Sequence, residues 1–229
     1  MTRERRGGNR RYRDRRDAGR VLGQLLADTR SGAEDPLVLG LPRGGVPVAD
    51  EIAHAIDGTL DVLVVRKLGF PGRPEVAIGA IAAVAGRIEI VENAEITARL
   101  YELGPADRMI GDAASVAEGE LRRRQGRYRG ARAPSDIGGR DVVLVDDGMA
   151  TGASIRAAIA VIGAERPARV TVAVPVAFAG TCARVRPLVD DVVCPWEPSD
   201  LWSVGEAYDD FSQTSDDEVR RILAGSHAR

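Results

Sequence analysis

Thirteen consecutive residues, Val142 to Ser154 (VVLVDDGMATGAS), constrain this chain more than any other stretch. Val142 to Val145 are apolar without alternation, the pattern of a short strand buried on both faces of a parallel sheet. Two carboxylates, Asp146 and Asp147, follow at once. Then come the small and hydroxyl-bearing residues Gly148, Met149, Ala150, Thr151, Gly152, Ala153 and Ser154, and an alanine-rich helical pattern from Ile155 to Ile162. A strand, a tight loop and a helix N-terminus make an anion site, because free backbone N–H groups and the positive end of the helix dipole both favour a phosphate. Thr151 and Ser154 add hydroxyl donors. A bare phosphate would be repelled by the two acids, so they require something that donates to them: ribose hydroxyls, or Mg2+ with its waters. The implied ligand is a sugar phosphate with a metal. The nucleoside-triphosphate P-loop is excluded, since no G-x-x-x-x-G-K-[ST] occurs. The plainer alternative is a Rossmann-like strand, loop and helix whose acids sit at the strand end by chance.

Two further segments repeat the theme. Leu37 to Leu41 reads as a buried strand running into Pro42-Arg43-Gly44-Gly45 and then a helix from Val46 to about Ile56. Leu60 to Val65 reads as another strand, ending in Arg66-Lys67-Leu68-Gly69-Phe70-Pro71-Gly72, where two adjacent cations suit a diphosphate. Lys67 is the one lysine in a chain whose other basic residues are all arginine. Strands alternating with helices imply a mostly parallel sheet with ligands at the carboxyl ends of its strands. The expectation is that the loops around Arg43, Lys67 and Asp147 all lie at such ends.

The stretch from Val142 resembles the phosphoribosyl diphosphate (PRPP) signature of the type I phosphoribosyltransferases: four apolar residues, two acids, three variable positions, then T-G-x-[ST]. Ser154 stands where the family more often has Thr. The resemblance implies an α/β fold with a mostly parallel sheet flanked by helices and a C-terminal hood. It implies a PRPP site built from Arg43, Gly44, Gly45, Arg66, Lys67 and the run Asp146 to Ser154. In it the 5′-phosphate lies in the Ala150–Ser154 loop, the ribose hydroxyls on Asp146 and Asp147, and the diphosphate near Arg43, Gly44, Gly45 and Lys67. Lys67, Asp146 and Asp147 become the catalytic candidates, with Mg2+ on the two acids through water. The implied reaction, a step of nucleotide metabolism, moves the ribose 5-phosphate of PRPP onto a nitrogenous base and releases pyrophosphate. The string R-K-x-G-x-P-G is similar to a segment of the adenine phosphoribosyltransferases, as is the small Ala150 before T-G, where hypoxanthine-guanine enzymes usually carry Asp. The loop Glu of the adenine enzymes has no counterpart: its place falls near Ala83, and Glu75 is the nearest loop carboxylate. The acceptor base is therefore left unnamed.

Elsewhere the pattern predicts a helix from Tyr12 to Asp28, and two strands, Ala77 to Val84 and Arg87 to Val91, around Ala85-Gly86. A helical insertion spans about 93–130 and ends in Arg122, Arg123, Arg124, Arg127 and Arg129 around Tyr128. Acids at Asp112, Glu118 and Glu120 lie within helical reach, which favours a solvated, paired face over a phosphate or nucleic-acid contact. After it come a strand from Arg169 to Val176, a short helix from Ala179 to Arg186, a strand from Asp191 to Cys194 and a closing helix from Ser215 to Leu223. The resemblance implies hood elements at about 195–229. In a chain with 4% aromatic residues, the tail gathers Trp196, Trp202, Tyr208 and Phe211. Trp202, Tyr208 and Phe211 are candidates for stacking on a base, or else anchors that pin the tail to the core.

The division expected is a basic arm over 1–11 and one domain over 12–229. Residues 1–20 hold nine arginines against three acids, so the net charge of −2 hides a basic N-terminus over an acidic remainder. Such an arm could touch nucleic acid or, more in keeping with its composition, be a soluble terminus. No apolar run approaches the ~20 residues of a membrane span, and the arginine-rich start has no apolar stretch behind it, so a secretory signal is not expected. Cys182 and Cys194 lack metal-site spacing and read as reduced thiols of a cytoplasmic protein. Two histidines, His54 and His227, make neither a zinc site nor a triad. A homodimer is common in the resembled family. Besides a transferase, the sequence leaves open a PRPP-sensing regulatory protein that does no chemistry, and a phosphosugar hydrolase on the same fold.

Overall fold

The apolar runs at 37–40 and 142–145 become parallel neighbours, Leu37 beside Val142 and Gly40 beside Val145. In a computed structural model that describes residues 12–29, 35–70, 73–84, 87–92, 106–129 and 133–226, the chain runs α1 (Arg15–Thr29), β1 (Leu37–Gly40), α2 (Gly45–Ala55), β2 (Thr59–Val62), β3 (Val65–Phe70), β4 (Arg73–Val84), β5 (Arg87–Glu92), α3 (Ala106–Arg129), β6 (Asp141–Val145), α4 (Ala153–Ala164), β7 (Arg169–Ala173), α5 (Thr181–Val185), β8 (Asp191–Val193) and α6 (Asp216–Gly225). Short 3-10 turns lie at Arg186–Leu188 and Val204–Ala207. The expected arm over 1–11, the Ala85-Gly86 connection, residues 93–105 of the insertion and His227 fall outside the described residues.

Five strands form one parallel sheet in the order β2-β1-β6-β7-β8. Alternation along the strands divides the core. Val38, Leu60, Val62, Val143 and Val145 join Leu22, Leu26, Val48, Ile52 and Val219 of α1, α2 and α6. Leu37, Leu39, Val142, Leu144 and Val172 face Ile155, Ala158 and Ile162 of α4. This is the α/β architecture expected from the sequence. Helix α1 lies tightly on α2 because Gly19 and Gly23 face it: a Cβ on Gly19 would stand 2.7 Å from the Val48 carbonyl oxygen, and one on Gly23 would stand 2.6 Å from the Ala55 Cβ. No helix of the described residues is long and apolar enough to cross a membrane.

The expected strand Leu60–Val65 is the main correction. It ends at Val62, and Val65 already belongs to β3, the outer strand of a separate antiparallel sheet, β3-β4-β5. Val62 to Val65 are apolar without a break, and such a run cannot mark where a chain leaves one buried sheet for another. Arg66 and Lys67 therefore sit inside β3, where Lys67 pairs with Ala80, rather than in a loop at the end of a parallel strand. Helix α3 packs on this second sheet through Ala114, Ala117 and Leu121, beside Leu68 and Ile78.

Candidate active site

Pairing of β1 with β6 brings the loops that leave their carboxyl ends together. Leu41 N–H donates to the Val145 carbonyl (2.8 Å), and Gly45 comes so close that an added Cβ would stand 2.9 Å from the Asp146 Cα. The Asp146–Asp147 pair is thus pressed against the Pro42–Gly45 turn. That turn has a cis peptide between Pro42 and Arg43, and it heads α2 with Gly44 as N-cap and no side-chain cap. On the other side, α4 begins after Gly152, again with no side-chain cap, at φ +75°, a left-handed conformation that favours glycine. The loop before it is stitched to its neighbours. Met149 N–H donates to the Val176 carbonyl (2.9 Å), Phe178 N–H to the Met149 carbonyl (2.9 Å), and Thr181 Oγ1 to the Ala150 carbonyl (2.8 Å). At the mouth Thr151 is exposed and Ser154 exposed likewise.

Each acid has one oxygen engaged by the protein. Asp146 Oδ1 accepts the Asp147 N–H (2.9 Å), and Asp147 Oδ2 accepts Arg15 Nε (2.8 Å). Among the described residues no hydrogen bond to the other two carboxylate oxygens is seen. Burial and the neighbouring charge of Asp147 hold the Asp146 carboxyl well above the usual carboxylate range. Burial also raises Asp147, against the opposing pull of Arg15. A pair in this state gains from any ligand that brings hydrogen-bond donors or positive charge. Among the described residues no cluster of three or more His, Cys, Asp or Glu side chains is gathered. Two carboxylates with one open oxygen each do fit Mg2+, which commonly takes one or two carboxylates and completes its shell with substrate oxygens and water.

The other expected residues are scattered more widely. Arg43, on the turn beside the acids, lies 3.7 Å from Asp216 at the start of α6. Arg66 forms an ion pair with Glu120 of α3. Lys67 is exposed and, by strand alternation, shares a face of β3 with Val65, which packs toward the α4 side of the core. Tyr208 is buried, with its hydroxyl donating to the Asp147 carbonyl and its ring between Tyr12 (centroids 5.7 Å apart) and Phe211 (5.0 Å). Its position is that of an anchor for the tail. Phe211 keeps part of its surface open and Trp202 stands out at 88% exposure. The arginines of α3 are largely paired: Arg122 with Glu118 (2.7 Å), Arg124 with Glu120 (3.0 Å), Arg127 with Asp216 (2.6 Å), Arg129 with Asp61 (3.2 Å).

Sequence reasoning missed Arg15. Its side chain is 11% exposed, and besides Asp147 it donates from Nη1 to the Ser212 carbonyl (2.7 Å) and lies 3.9 Å from the Phe211 ring centroid. Among so many arginines near the N-terminus nothing marks this one, because the contact spans more than a hundred residues of chain.

The geometry defines a class, an α/β protein whose carboxylate pair is cradled between two glycine-headed helix N-termini at the carboxyl ends of two adjacent parallel strands. Residues 12–210 match the model of the phosphoribosyl transferase domain, and the chain belongs to that family. It is 42% identical over 219 residues to two Mycobacterium tuberculosis proteins, Rv0571c of strain H37Rv and MT0597 of strain CDC 1551, both provisionally named phosphoribosyl transferases. The match covers 94% of this chain and 47% of each relative, so the chain spans about half the length of the curated relatives it matches. A crystal structure of TT1426 from Thermus thermophilus superposes with a TM-score of 0.82 at 44% identity, covering 94% of this chain and 98% of that one.

Proposed function

We propose that this protein is a Mg2+-dependent phosphoribosyltransferase that transfers the ribose 5-phosphate of PRPP to a nitrogenous base and releases pyrophosphate. The observation that carries this reading is the carboxylate pair, one open oxygen on each acid, set between two helix N-termini headed by Gly44 and Gly152. A ribose diol has two hydroxyls to donate, one for each open oxygen. The 5′-phosphate would take the N-terminus of α4 with the Thr151 and Ser154 hydroxyls, and the diphosphate the turn at Arg43 to Gly45. Bound Mg2+ would neutralise charge on the departing diphosphate. The acids orient the sugar and favour the positive charge that develops at its C1 carbon. Trp202, largely exposed, is the aromatic candidate left with a free face for an acceptor ring.

A second reading, a PRPP-sensing protein without transfer, has one specific observation in its favour. Arg66 and Arg43, two of the cations expected at the diphosphate, are engaged by Glu120 and Asp216. Pyrophosphate release from Mg-PRPP, measured with and without a pool of purine and pyrimidine bases, separates the readings. Release that requires one base supports the transferase and names the acceptor. Equal release without any base points to hydrolysis, and binding without release points to sensing. In the first case Asp147→Asn is expected to lose most turnover while still folding, and near-wild-type turnover in that variant would count against the assignment.

A further inference from the structure

Arg15 is a costly residue for the place it occupies. It is the first residue of α1, whose start is set by Asp14 accepting the Asp17 N–H (2.8 Å). A cation at a helix N-terminus opposes the helix dipole, and burying an ion pair forfeits hydration that the attraction repays only with good geometry. The geometry here uses two nitrogens and a face of the guanidinium. Nε holds Asp147 Oδ2 (2.8 Å), Nη1 holds the Ser212 carbonyl (2.7 Å), and the planar face lies on Phe211 (3.9 Å). A lysine could not do all three at once. The backbone arranges the same meeting independently: Tyr12 N–H donates to the Ala207 carbonyl, and the Asp209 and Asp210 N–H groups donate to the carbonyls of Tyr12 and Arg13. The entrance to α1 is therefore sewn to the hood directly beside the acids.

We infer that Arg15 is a positioning residue of the sugar-phosphate site, fixing the Asp147 carboxylate and seating the hood segment at Phe211 and Ser212 with one side chain. The inference rests on the reading of Asp147 as a ribose-binding acid. With Oδ2 clamped between Arg15 and Gly44, whose added Cβ would stand 1.9 Å from that oxygen, Oδ1 is left to face the ligand. The same side chain lies over the Phe211 ring, which Tyr208 also stacks against, so the tail segment is held from two sides. Arg15 thus joins the acid that would hold the donor sugar to the tail segment at Phe211 and Ser212.

The test is a double-mutant cycle on Mg-PRPP binding by calorimetry, using the full chain. Arg15→Ala is expected to weaken binding about 10- to 100-fold, the scale of a misplaced binding group. In an Asp147→Asn background the same change should cost less than about threefold, because Arg15 then has no carboxylate to position. A purely structural role would give equal losses in both backgrounds, and that additivity would overturn the inference. Wild-type affinity in Arg15→Ala would do the same. Should Arg15→Ala fail to fold, Arg15→Lys decides: it keeps the charge without the planar fork, and about tenfold weaker binding is expected, whereas unchanged binding overturns the inference. A wild-type protein that binds no PRPP overturns the functional reading, and this inference with it.

Discussion

Two glycines head the two helices of the candidate site, and the structure needs them for different reasons. Gly44, before α2, has an ordinary right-handed backbone (φ −64°, ψ −33°) that any residue adopts. What excludes a side chain there is Asp147, whose Oδ2 lies 1.9 Å from where a Cβ would be. Gly152, before α4, has room by comparison, since its nearest neighbour would be Thr181 Cγ2 at 3.1 Å. There the constraint is the left-handed φ of +75°. One turn is shaped by the Asp147 side chain pressing on it and the other by its own backbone. Substitution at the first should damage ligand binding, and at the second, folding.

The largest effect is expected from Gly44→Ala. The new methyl must displace the Asp147 carboxylate and break its bond to Arg15 Nε, which would lie 3.1 Å away. Displacement of about 1 Å at a binding group costs on the order of 100-fold in kcat/KM, with melting temperature little changed. A variant that melts well below wild type yet binds Mg-PRPP normally would reverse the comparison. Asp146→Asn sharpens it from the acid side. The raised carboxyl means that the folded, ligand-free protein holds a proton the unfolded chain releases more readily. Stability therefore falls as pH rises from the unfolded value of about 3.9 through the raised folded value. The amide should make the metal-free protein more stable at neutral pH and flatten that fall, while PRPP binding is lost. Denaturant melts across pH would show it, and an unchanged pH profile would contradict it.

Next comes Gly152→Ala. A left-handed conformation costs a non-glycine residue about 1–2 kcal/mol, and the Thr181 methyl must also give way. The expected result is a loss of about 2 kcal/mol in chemical denaturation, with Mg-PRPP binding weakened as the Ala150–Ser154 loop shifts. Loss of binding at full stability would place Gly152 in the same category as Gly44.

These contrasts bear on what the sequence made legible. The parallel sheet and its two glycine-bearing turns were readable because each is encoded within a dozen residues: apolar run, small residues, helix. The acids were readable because Asp146 and Asp147 are adjacent. The exit of the chain at Leu63–Val64 into a second sheet was not, since both sheets are buried and the apolar run never breaks. Nor was the partnership of Arg66 with Glu120 or of Arg15 with Asp147, because each pairs segments far apart in the chain. Local pattern specified the cradle, whereas its counter-charges are set by tertiary pairing that no periodicity records.

The smallest effect tests how the Gly152 turn is held from below. Thr181 is fully buried, its hydroxyl donates to the Ala150 carbonyl (2.8 Å), and the same oxygen accepts Arg184 Nη2 (2.8 Å). Thr181→Val keeps the shape but leaves that carbonyl without its donor, at a net cost of about 1 kcal/mol, or about 2–4 °C in melting temperature for a chain of this size. If the turn is fixed chiefly by its own left-handed glycine, Mg-PRPP affinity should fall only about twofold, and the Gly152→Ala loss should persist almost undiminished in the double variant. If the hydroxyl were the real clamp, the two substitutions would share one loss instead of adding. The asymmetry between the turns would then lie in their neighbours on both sides and not in backbone conformation on one.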